Sequence, residues 1–110
     1  MSTKIYWLKP ALDEIEDIRR YIAEEQDEPN PEFADDLVAA FFARVRILVD
    51  FPESGPIVTG LRPLHRQLVV GIHYRILYRP HLVESDAIQI VAVIHTSRDL
   101  RKAWREKKRL

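Results

Sequence analysis

The chain of 110 residues contains no cysteine, only three glycines and one methionine. Without cysteine there is neither a disulfide framework nor a thiolate metal site, and nothing argues for an oxidising compartment. So few glycines leave no glycine-rich loop to cradle a phosphate. No apolar run approaches the roughly 20 residues that span a bilayer, and MSTKIYWLKP meets Pro10 and then charges before a signal-type apolar core forms. The expected address is therefore cytoplasmic, away from membranes. No two histidines stand at helical spacing, so a metal site has little support, and no cofactor is expected. Internal repeats and low-complexity tracts are absent as well.

Net charge is also missing overall, yet the halves differ. Residues 1–60 carry 6 Lys/Arg against 13 Asp/Glu, and residues 61–110 carry 11 against 4. This surplus of seven acids and then seven bases predicts a partner with an acidic or amphipathic segment meeting the second half, with an affinity that falls as salt rises. The alternative is that the halves satisfy each other. With 46% hydrophobic and 31% charged residues, the length suits one domain over residues 1–110.

Apolar periodicity gives the order of elements. Lys4 to Leu8 alternates and ends at Pro10, which predicts a short first strand. Leu12, Ile15, Ile18, Tyr21 and Ile22 then recur at helical spacing. Asn30-Pro31 is a helix start, with asparagine capping and proline at the first helical position. The second helix is expected to reach about Phe51, with Phe33, Leu37, Val38, Phe41, Val45 and Leu48 in one stripe. Phe51-Pro52-Glu53-Ser54-Gly55-Pro56 turns the chain. Strands follow through Leu64–Val69 and Ile72–Arg79, with Val70-Gly71 at a tight corner, and a central strand through Ile88–His95. Asp99 to Arg109 reads as a short basic helix or tail containing Trp104. The class is α+β: a short N-terminal strand, then an antiparallel helical hairpin on one face of a mostly antiparallel sheet of about four strands.

Strict alternation assigns Ile88, Ile90, Ala92 and Ile94 to the core beneath the hairpin, and Gln89, Val91, Val93 and His95 to the other face. Likewise Ile72, Tyr74, Ile76 and Tyr78 share one face of their strand, and His73, Arg75, Leu77 and Arg79 the other. The second face thus mixes His73, Arg75, Leu77, Arg79, Gln89, Val91, Val93 and His95, near Arg98 and Trp104. That mixture is apolar enough to read as a docking groove for another chain. Packing against the C-terminal tail is the alternative.

The run PALDEIEDIRRYI, the turn FPESG, the strand HYRILY and the ending VIHTSRD, taken in this order after a short first strand, resemble the RelE/ParE superfamily of bacterial toxins. The resemblance covers nearly the whole chain. It implies a cytosolic toxin of a type II toxin–antitoxin module, bound in a hetero-oligomer by a cognate antitoxin that wraps it. Its ParE-like branch implies binding to DNA gyrase, whereas its RelE-like branch implies ribosome-dependent cleavage of messenger RNA. Cleavage needs a base, a phosphate clamp and a proton donor. His95 or His73 could serve as base, Arg75 and Arg98 as clamp, and Tyr74 or Tyr78 as donor.

Duller roles compete for each residue. Tyrosines beside Ile72 and Ile76 complete a core, His65, His73 and His95 suit hydrogen-bonded structural or surface positions, and Arg75 could pair with a helix carboxylate. The RelE-like branch tends to carry basic residues in mid-chain and a tyrosine or histidine near its end. Here no Lys or Arg occurs between Arg46 and Gly60, and no Tyr or His follows Arg98. Protein binding by a ParE-like toxin is therefore the expected function, with RNA cleavage and a non-toxic binding module of an antitoxin-repressor complex as alternatives.

Overall fold

Proline and asparagine set the helix starts. The computed structural model describes residues 2–98 and Lys102. Pro10 lies in the first turn of α1 (Lys9–Arg20), which runs into a π-helical turn at Tyr21–Glu25. The Asn30 side chain accepts the Phe33 N–H at 3.1 Å and caps α2 (Pro31–Val45), with Pro31 at its start. A break at Arg46 separates α2 from the short α3 (Ile47–Asp50), so the single helix expected as far as Phe51 is in fact two pieces.

The strands are β1 (Lys4–Trp7), β2 (Ile57–Val58), β3 (His65–Val70), β4 (Tyr74–Pro80) and β5 (Ala87–His95). They form one sheet in the order β1-β5-β4-β3-β2. The α+β arrangement is the expected one, but the sheet is mixed and has five strands. β1 lies parallel to β5, with Lys4 opposite Ala87 and Trp7 opposite Ile90. The added strand β2 arises in the segment after the FPESG turn and pairs Ile57 with Arg66 and Val58 with His65. The β3–β4 hairpin turns one step later than Val70-Gly71, with Gly71 at φ 60° and Ile72 outside the strand and 79% exposed. Glycine bears that left-handed conformation without the Cβ clash that penalises other residues.

The main core lies between helices and sheet, where Ile15, Phe41, Val45 and Leu48 meet Leu68, Ile76, Tyr78 and Ile90. A second, smaller core occupies the opposite face: Leu77, Val91, Ala92 and Ile94 lie against Val58 and Leu61, with Leu8 at the margin. This overturns the expected open face. The cover comes from β2 and the segment that follows it, whose apolar residues had no assigned role in the periodicity. Arg44 of α2 donates to the Val69 carbonyl at 3.0 Å, on the outer edge of β3 beyond the last β2 pair.

One irregularity decides which side chains share a face. Along β4–β5, Leu77 is opposite Ala92 but Tyr78 is opposite Ile90, so Val91 is an extra residue in β5. Such a bulge shifts the alternation by one position. Ile88 and Ile90 face the helices as expected, but beyond Val91 it is Val93 that joins the helix-side core, while Ala92 and Ile94 join the second core. Ala92 and Ile94, and Val93 and His95, therefore exchange the faces that strict alternation assigns them.

Candidate functional site

The end of β5 is built by the hairpin corner beside it. Thr96 N–H donates to the His73 carbonyl at 2.7 Å, and its hydroxyl donates to the Ile72 carbonyl at 3.0 Å. These bonds hold His73 over His95, with ring centroids 5.7 Å apart and planes inclined by 24°. Tyr74, directly opposite His95 in the sheet, meets its ring edge-on at 5.3 Å, and Phe41 meets Tyr74 in the same way at 5.5 Å. An aromatic stack thus leads from the main core out to the surface, a geometry that ring quadrupoles favour.

The His95 ring is fixed from one side. Ser97 N–H donates to Nδ1 at 3.1 Å, and the Ser97 hydroxyl lies 2.7 Å from the same nitrogen. Accepting those bonds leaves the proton of the neutral ring on Nε2, which is the nitrogen available for an external partner. Burial, followed by the neighbouring Tyr21, holds the Tyr74 phenol above its ordinary range, so it stays protonated.

Arg75 lies on the opposite face of the sheet from Tyr74 and His95, since adjacent strand residues alternate. Its guanidinium donates to the Arg98 carbonyl at 2.8 Å and to Gln67 Oε1 at 3.4 Å. Arg79 donates to Gln89 Oε1 at 2.9 Å on that same face, and burial lowers the Arg79 pKa. Of the expected docking residues, Leu77 and Val91 are buried in the second core and Val93 in the main one. They are closed off by the chain itself. The structure thus unites His73, Tyr74 and His95, brings Arg98 beside Tyr74 and His95, and sets Arg75, Arg79 and Gln89 on the other face, with the Arg98 carbonyl bonded to Arg75. Trp104 and the expected basic tail lie outside the described residues, apart from a helical Lys102.

The other tyrosine and histidine candidates are structural. Tyr78 is buried, and its hydroxyl accepts the Gly55 N–H at 2.9 Å. His65 is fully buried, and burial pushes its imidazole below the ordinary range. Among the described residues, no cluster of three His, Cys, Asp or Glu side chains could hold a metal ion. No helix among them is long and apolar enough to cross a membrane.

Two depressions meet at the Tyr74–His95 pair. One, of about 770 Å³, is walled by Tyr21, Phe33 and His73, and the other, of about 210 Å³, by Glu14, Ile18 and Arg98. The periodicity placed Tyr21 and Phe33 in buried stripes, yet they are 56% and 52% exposed. Their positions carried the missed signal. Phe33 stands in the first turn of α2, and Tyr21 opens the π-helical turn, where the 3.6-residue phase is lost. Glu14 was equally hidden among the polar residues of α1, but its Oε1 accepts the Val93 N–H at 3.0 Å.

A family model described as "ParE toxin of type II toxin-antitoxin system, parDE" matches residues 5–100. Among solved structures, one described as "Chromosomal ParDE TA system from P. aeruginosa" is similar in fold, with a TM-score of 0.64 and 18% sequence identity. That likeness covers 86% of this chain and 96% of the other. Among curated proteins no match is found.

Proposed function

Because the chain belongs to the ParE toxin family of type II toxin–antitoxin systems, we propose that it acts in the cytoplasm by binding a protein target. That target is DNA gyrase, and a cognate antitoxin neutralises the toxin by forming a hetero-oligomer with it. One observation supports binding over RNA cleavage. Of the two cations expected to clamp phosphate, Arg98 lies beside His95, but Arg75 sits across the sheet with its guanidinium fastened to Gln67 and to the Arg98 carbonyl. The expected two-arginine clamp is therefore split between the faces, and Arg75 cannot share one scissile phosphate with a base at His95.

The test is to induce the chain in cells and map two outputs together: gyrase trapped on cleaved DNA, and messenger cuts within translated frames. Trapped gyrase without mapped cuts is the expected result. A His95→Ala variant then loses toxicity only to the extent that it loosens an interface, well short of the 10²- to 10⁴-fold loss, roughly, that removal of a general base causes. Mapped cuts with gyrase untouched refute the proposal.

A further inference from the structure

The two depressions at Tyr74 and His95 share both residues and adjoin one another, so that together they make a groove with α1, the π-helical turn and the start of α2 along its wall. Aromatic rings wall it, and two of them, Tyr21 and Phe33, are more than half exposed. Large side chains gathered in a concavity are the usual mark of a surface that another molecule covers.

Charge narrows the choice of occupant. Glu14, Asp17, Asp27 and Glu28 line the groove, and Arg98 is the one Lys or Arg lining it among the described residues. Glu14 is engaged with the Val93 amide, and Asp17 pairs with Arg20 at 3.3 Å. Asp27 and Glu28 are exposed and make no ion pair among the described residues. These two carboxylates line the same wall as Phe33 and Tyr21, and no cation among the described residues pairs with them. Glu14 also fills the Val93 amide on the side of β5 that β1 leaves uncovered, so recognition here falls to side chains and not to strand addition.

We infer that this groove binds a cationic amphipathic segment of a partner protein. Its apolar side chains lie on Tyr21, Phe33 and Tyr74, and an arginine or lysine reaches Asp27 and Glu28. The inference deepens the proposed function and rests on it, the antitoxin being the partner. A guanidinium there gains twice, from charge-assisted hydrogen bonds to the carboxylates and from the faces of the adjacent rings. The sign is opposite to that expected from the charges of the two halves, because the groove is built mainly by the acidic first half.

The probes are two synthetic amphipathic peptides of about 16 residues, long enough for helix. They share the same leucines and differ only in bearing arginine or glutamate on the polar face. Each is titrated into the isotope-labelled full chain and followed by amide chemical shifts. The arginine peptide is expected to move the resonances of Tyr21, Phe33, Tyr74 and His95 and to bind about tenfold tighter than the glutamate peptide. The double variant Asp27→Lys/Glu28→Lys abolishes that preference, and Phe33→Ala weakens binding of the arginine peptide. All three positions are exposed, and unchanged shifts elsewhere verify the fold.

Equal binding of the two peptides, preference for glutamate, shifts outside the groove, or no binding at all overturns the inference. The titration contains neither gyrase nor antitoxin. Its failure therefore leaves the toxin reading standing, and failure of gyrase trapping leaves the groove's chemistry standing.

Discussion

Tyr78 shows at the scale of one residue how a motif of the chain acquires its meaning. Its ring is buried in the main core, and its hydroxyl accepts the N–H of Gly55, 23 residues earlier in the turn FPESG. A Cβ on Gly55 would collide with the Gln67 carbonyl oxygen and lie 2.8 Å from the Tyr78 hydroxyl, so close approach of backbone and ring demands glycine there. Alternation in β4 already assigned Tyr78 to a core. The bond to Gly55 was not legible, because it depends on loop closure and leaves no periodic trace. Replacing Tyr78 by Phe keeps the ring but strands a buried N–H, and is expected to destabilise the chain by about 1–3 kcal/mol without changing the fold. Urea unfolding measures it, and a loss below about 0.5 kcal/mol would mean that another acceptor reaches Gly55.

At the scale of elements, the starts of α1 and α2 and each principal strand were readable, because capping, proline and apolar period act locally, whereas the break before α3 was not. Nor was the bulge at Val91. Val91, Ala92 and Val93 are all apolar, so no polar residue marks where the phase slips, and only the pairing with Leu77 and Tyr78 reveals it. That slip carried His95 from the expected docking face to the helix side, and with it the candidate site. It also aims the Val93 amide at α1, where Glu14 accepts it. Replacing Glu14 by Ala should cost about 1 kcal/mol and speed hydrogen exchange at Val93 roughly tenfold, whereas Glu14→Gln retains an acceptor and most of the protection. Exchange unchanged in Glu14→Ala would assign the protection to the sheet alone.

At the scale of the whole molecule, the charge count was legible but its placement was not. Arg66 donates to the carbonyls of Glu53 and Gly55, and Arg75 and Arg79 bond mainly to side-chain amides and a carbonyl. Those neutral acceptors leave the positive charge uncancelled while fixing the arginines in place. Global stability should depend on pH through His65, which is buried beside the segment that covers the second core. Burial lowers its folded pKa, so the unfolded chain binds more protons between that lowered value and about 6.5. The stabilisation is present above that window and is lost as pH falls through it. The urea midpoint is expected to drop between about pH 7.5 and 5.5 in the wild type, and His65→Gln should flatten the drop. An equal slope in both proteins would assign it to other groups. Finally, the bond from Arg44 to the Val69 carbonyl acts on chains that have not yet met a partner. Bare strand edges template the addition of further copies, and a cation planted on an edge obstructs that growth. Arg44 thus favours a free toxin that stays dispersed while it accumulates, over one that sequesters itself in fibres.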